Sequence, residues 1–159
     1  MTMTQPSFVY VTYIATTPEK VWQALVDPEV TRRYWVGVKP DSPAHENISD
    51  WTPGSRWEHR RVDSGAIDMA GKVVEHAPPR RLAYTWARPN EFDDESKHSA
   101  VSFDIEPLGS GLVRLTVTHD GLDGDPKMLA GISGGWPQVL SQLKTLLETG
   151  RTLPRGEAT

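Results

Sequence analysis

Apolar and polar side chains alternate with a period of two through the middle of the chain, the pattern of strands with one dry and one wet face. Trp57 and His59 alternate with Arg56, Glu58 and Arg60, and Leu82, Tyr84 and Trp86 with Arg81, Ala83 and Thr85. Val101, Phe103 and Ile105 alternate with Ser102, Asp104 and Glu106, and Val113, Leu115, Val117 and His119 with Arg114, Thr116 and Thr118. Turn formers at Asp63-Ser64-Gly65, Pro78-Pro79 and Gly109-Ser110-Gly111 punctuate these runs at the short intervals of an antiparallel meander. Phe8 to Ile14, rich in aromatic and β-branched residues, predicts one more strand, but its apolar groups fall on both faces and leave its inward parity open.

Helical signals flank the strands. Thr17-Pro18 offers a capping hydroxyl followed by a proline that needs no N–H partner, and Val21, Trp22, Ala24 and Leu25 then form one apolar stripe. Asp27-Pro28 repeats the device and predicts a second short helix running toward Tyr34-Trp35. Residues 37–54 lack periodicity and read as a loop with room for one short strand, and Pro89 to Lys97 reads as an exposed acidic loop. A one-sided sheet needs a cover, and the C-terminus supplies it. From Asp125-Pro126 onward, Met128, Leu129, Ile132, Trp136, Val139, Leu140, Leu143, Leu146 and Leu147 recur at three and four residues, ending at a Gly150 cap. Gly134-Gly135 and Pro137 interrupt that stripe, which predicts a short helix, a break at Ser133 to Gly135, and a long helix from about Trp136 to Thr149. The expectation is a single α+β domain over 1–159, with its core over about 8–151 and a frayed tail at 152–159. A curved antiparallel sheet wraps the long C-terminal helix, and two short helices follow strand one.

Composition narrows the class. A chain of 159 residues buries roughly two-thirds of its extended surface in one core. The net charge of -4 is spread along the chain, and the one local basic group, Arg56, Arg60 and Arg61, shares its strand with Glu58, so no face is suited to tracking nucleic acid. The absence of cysteine excludes disulfides, thiol nucleophiles and zinc-thiolate sites. No apolar run is long enough for membrane insertion, and Met1 to Ser7 lacks the regions of a signal peptide, which makes the cytoplasm the expected location.

The run TPEKVWQALVDPEVTRRYW, from Thr17 to Trp35, resembles the opening helices of the family called activator of heat-shock-protein-ninety ATPase homologue-1-like, within the START-like or SRPBCC (Bet v 1-like) superfamily. The resemblance continues through Trp51-Thr52-Pro53-Gly54-Ser55, PPRRLAYTW at Pro78 to Trp86, LTVTHDGLD at Leu115 to Asp123 and GWPQVLSQLKTLLETG at Gly135 to Gly150, and so covers nearly the whole chain. It implies the helix-grip fold. On activity it implies little, because the superfamily includes lipid and hormone carriers and polyketide cyclases, and the protein that names the family is a co-chaperone.

An incompletely filled centre between sheet and helix is the default place for a small ligand. The residues expected to line it are Trp57, His59, Met69, Tyr84, Trp86 and Phe103, with His119, from the strands, and Met128, Ile132 and Trp136 from the C-terminal helices. All of them also suit an ordinary core. The two histidines are the polar members of apolar faces, and as candidates for acid/base or anchoring work His119 ranks first and His59 second. The five histidines show no metal-enzyme spacing, so neither a metal nor a cofactor is expected. Gly131-Ile132-Ser133-Gly134-Gly135 fits a nucleophile elbow on paper but reads better as a helix break. Asp104 and Glu106 alternate to the wet face, and the Asn47-Ile48-Ser49 sequon has no meaning in the cytoplasm. Three functions stay open. They are a carrier of a hydrophobic or amphipathic small molecule (lipid-like, aromatic or polyketide-like), a cyclase- or hydratase-type enzyme using a histidine in the same cavity, and a protein-interaction module. An exposed edge strand or apolar patch also allows a homodimer.

Overall fold

Both Xaa-Pro steps start helices in the way their chemistry dictates. In the computed structural model, which describes residues 7–156, Thr17 Oγ1 accepts from the Lys20 N–H and opens α1 (Pro18–Val26). Asp27 closes α1 and caps α2 (Pro28–Tyr34), its carboxylate accepting from the Glu29 N–H at 2.9 Å. The strands are β1 (Phe8–Ile14), β2 (His45–Ser49), β3 (Arg56–Arg61), β4 (Ile67–Ala77), β5 (Arg81–Trp86), β6 (Ser99–Pro107) and β7 (Val113–Asp120). They form one seven-stranded sheet in the order β1-β7-β6-β5-β4-β3-β2, with every neighbouring pair antiparallel. Two short 3-10 turns, Pro89–Glu91 and Glu95–Lys97, lie in the β5–β6 loop. The sheet curves around α3 (Pro126–Thr149) in the helix-grip arrangement.

The alternating segments turn their apolar members inward as read: Trp57, Leu82, Tyr84, Phe103, Leu115 and Val117 are all buried. On the wet face Arg81 pairs with Asp104 at 2.7 Å, directly across the β5–β6 register. Strand β1 buries Ile14 and leaves Val9, Val11 and Tyr13 half exposed, which settles its parity. Strand β4 carries a register shift against each neighbour, between Ile67 and Met69 against β3 and between Val73 and Glu75 against β5, and it buries Ala70, Gly71 and Val73. Gly71 is required by space: a Cβ there would sit 1.9 Å from the Thr85 carbonyl oxygen, which accepts the Trp57 indole N–H at 2.7 Å.

One expectation is corrected. Helix α3 runs unbroken through Gly134, Gly135 and Pro137. Ile132 and Trp136 before the proline and Val139, Leu140 and Leu143 after it are all buried, and this packing on both sides holds the helix together. Pro137 cannot donate to the Ser133 carbonyl in the helical ladder, and one residue on, the Gln138 side chain adds a bond to the Gly134 carbonyl at 3.1 Å. Past Gly150 the described tail runs as irregular backbone with several hydrogen bonds to the rest of the chain. The Leu153 N–H donates to Gln142 Oε1 at 2.7 Å, Arg155 donates to the Lys39 and Ser42 carbonyls, and the Gly156 N–H donates to the Val38 carbonyl. Residues 157–159 lie outside the described residues.

Candidate functional site

The space in this interior lies under the glycine-rich half of α3. Gly131 and Gly135 stand one turn apart on the same helix face, and a Cβ added at either would meet nothing within 4 Å. Beneath them is a chamber of about 230 Å³, walled by Trp35, Trp86 and Trp136 and by Ile132 and Val139, with His59 as its polar group. The indoles pack at an angle to one another: Trp35 and Trp136 lie edge-on, 5.4 Å apart at 63°, and Trp86 and Trp136 lie tilted, 5.8 Å apart at 47°. A vestibule of about 220 Å³ adjoins the chamber, shares Trp35, His59, Gly135 and Val139 with it, and adds Ser42, Pro43, His45 and Gln138.

Strand pairing places His59 at the junction. Asn47 on β2 lies directly opposite His59 on β3, and Asn47 Oδ1 accepts from the His59 Nδ1–H at 2.6 Å. That bond leaves the second ring nitrogen, Nε2, as a lone pair with no protein partner among the described residues. His45, two residues before Asn47, stacks its ring on His59 at 4.0 Å and 7°, while its own Nε2 bonds Asp68 at 2.7 Å. Burial, and secondarily the charge of a protonated His45, hold His59 well below the ordinary histidine range. It is the neutral imidazole at neutral pH.

His119 is built differently. Its Nδ1 accepts the Trp136 indole N–H at 3.1 Å, and because an indole can only donate, the proton must sit on Nε2. Nε2 then donates to Ser99 Oγ at 2.8 Å, and the Ser99 hydroxyl donates to the Trp86 carbonyl at 3.2 Å. Both nitrogens are occupied, the ring is fully buried, and burial, opposed only by the nearby Asp120 charge, pushes its pKa down to about 4. The residue ranked first for chemistry is thus the hydrogen-bonded support of a chamber wall.

Of the ten residues expected to line a cavity, His59, Trp86, Ile132 and Trp136 do so. Trp57, Tyr84, Phe103 and His119 are buried in the core behind it, and Met69 and Met128 pack partly buried against that core. The sequence reading missed Trp35, His45, Val139 and the two glycines. Trp35 ends a short helix, His45 sits in what reads as a loop, and the glycines read as a break, although glycines on one helical face were themselves a signal for space. Among the described residues no group of three or more histidine, aspartate or glutamate side chains is arranged to hold a metal ion. No helix is long and apolar enough to cross a membrane.

The fold is shared with several solved structures. A protein from Chromobacterium violaceum superposes with a TM-score of 0.68 at 21% identity, over 89% of this chain and 96% of that one. The Aha1 dimer from Colwellia psychrerythraea gives 0.69 at 21% identity over the same shares, and an HSP90 activator from Plasmodium falciparum gives 0.67 at 18%, over 88% and 94%. No functionally curated protein matches the chain. The family of the Activator of Hsp90 ATPase homolog 1-like protein matches residues 15–148, and the chain belongs to that family.

Proposed function

We propose that this protein binds a hydrophobic or amphipathic small molecule in the chamber between β3, β5 and α3. The observation that carries the reading is the cleft of about 230 Å³ walled by Trp35, Trp86 and Trp136, which the partly buried Gly135 leaves unfilled on its helix side. Each glycine costs a helix interior roughly 0.5–1 kcal/mol relative to alanine, and here no neighbouring atom demands it. The states of the two histidines favour binding over acid/base catalysis, since a general base works best with a pKa near the working pH, and both imidazoles are held neutral below it. A screen of hydrophobic compounds by tryptophan emission tests the proposal, because Trp35, Trp86 and Trp136 all border the chamber. Ligands should change the emission of the unmodified protein and leave that of Gly135→Leu unchanged. No response from the unmodified protein to any compound would remove the reading.

A second reading, a homodimer, rests on β1. It is an edge strand, and Val9, Val11 and Tyr13 present a half-exposed apolar row on it. The relative from Colwellia psychrerythraea is described as a dimer. Sedimentation of the protein and of Val11→Lys would separate a β1 dimer from a monomer.

A further inference from the structure

We infer that the chamber selects an uncharged, planar ring carrying a hydroxyl or N–H donor, and that this donor bonds the His59 Nε2 lone pair. The inference rests on the ligand-binding reading above and specifies its chemistry.

Four features support it. First, no lysine, arginine, aspartate or glutamate lines the chamber or the vestibule. A carboxylate, phosphate or ammonium group brought there would lose its hydration and meet no lysine, arginine, aspartate or glutamate; the Trp86 indole N–H, buried without a partner among the described residues, is a neutral donor and repays that loss only in part. Second, three tilted indoles form the walls, and flat aromatic surfaces at fixed angles match a flat guest better than a coiled chain. Third, size limits the guest: roughly 150 Å³ of apolar cavity holds one benzene. The 230 Å³ here therefore takes one substituted ring or a fused pair, not an extended acyl chain.

Fourth, the hydrogen bond has a fixed direction. Asn47 Oδ1 holds the proton on His59 Nδ1, so Nε2 can only accept. The position is held by packing, since the ring stacks on His45 at 4.0 Å and meets Trp35 in a T-shaped contact at 5.2 Å. A fixed acceptor at the mouth of a cleft discriminates between guests, since one that covers it without supplying a donor displaces its water and leaves the imidazole nitrogen unpaired. The vestibule beside His59, with the Ser42 hydroxyl on its rim, leaves room for a further polar substituent.

The test is calorimetric titration of the full chain at neutral pH with naphthol, naphthalene, methoxynaphthalene and naphthoate. These four guests share one ring system and differ in donor and charge. Naphthol should bind about tenfold or more tighter than methoxynaphthalene, the worth of one well-placed hydrogen bond, and naphthoate should bind weakest. In His59→Phe the advantage of naphthol over methoxynaphthalene should vanish while naphthalene affinity is retained. Should that variant fail to fold, the ranking of the four guests on the unmodified protein decides. Equal affinities for naphthol and methoxynaphthalene, or naphthoate binding best, overturn the donor selectivity and leave the chamber as a binding site. No binding of any guest, or binding undiminished in Gly135→Leu, overturns the chamber itself.

Discussion

The two ends of this interior are built from different materials. Toward β1 and β7 it is aliphatic and closely packed around Ile14, Val113, Leu115 and Leu143, all fully buried. Toward β3 and β5 it is aromatic and open, with Trp35, Trp86 and Trp136 around a chamber. Branched aliphatic side chains have no polar atoms to satisfy and settle into whatever shape fills the space. Several of the aromatic groups are pinned by their edges: Trp51 to the Val26 carbonyl, Trp57 to the Thr85 carbonyl, Tyr34 to the Ala24 carbonyl and Trp136 to His119. Of the three chamber indoles Trp136 is the one held this way, and it cannot slide inward without losing its bond to His119, so a void can persist beside it.

The sharpest way to break this comparison is to truncate one residue of α3 at each end. Leu143→Ala, fully buried in the filled end, should cost about 3–5 kcal/mol, because it opens a new cavity. Ile132→Ala enlarges a space that already exists, and should cost about 2 kcal/mol or less, near the transfer value for the lost methyl groups. Urea unfolding of the two variants measures the gap, and equal costs would mean that the chamber end is packed as tightly as the other.

The second expected effect is on pH dependence. His119 titrates at about 4 in the fold against about 6.5 when exposed, so between those values the unfolded chain holds a proton that the folded one lacks. Its contribution to stability is complete above about pH 6.5 and declines as pH falls toward 4, by about 2 kcal/mol at pH 5. His59 is depressed as well and adds a loss of the same sign. His119→Gln can still accept from Trp136 and donate to Ser99, so it should flatten the profile measured by unfolding at pH 5 and pH 7. An unchanged slope would mean that His119 is not the group responsible. The smallest effect concerns Gly135→Ala, which should stabilise the helix by about 0.5–1 kcal/mol while narrowing the chamber. A higher melting temperature with weaker ligand binding is the expected pair of outcomes.

Most of the architecture was legible because five strands obey strict alternation or carry β-forming residues, and because proline-marked caps announce three helices. What escaped was encoded in exceptions. The register shift in β4 changes its parity, so that Val73 pairs with Tyr84 but His76 with Leu82, and β2, reading His-Glu-Asn-Ile-Ser, has no apolar face to announce it. The site was half legible. His59, Trp86, Ile132 and Trp136 lie on faces that periodicity marks as inward, but periodicity cannot tell a wall from a packed core, as Tyr84 and Phe103 show. Nor can it tell an engaged imidazole from a free one. That distinction depends on Trp136 and Ser99 meeting His119, and on Asn47 meeting only one edge of His59.

The anchored C-terminal segment links distant parts of the chain at the doorway of the site. Arg155 and Gly156 grip the backbone at Val38, Lys39 and Ser42, and Ser42 frames the vestibule, while the Val38 N–H is held by Gln138 of α3. A fluorophore coupled just past Gly156 would therefore report on traffic through that doorway, and a bulky fusion joined there would obstruct it.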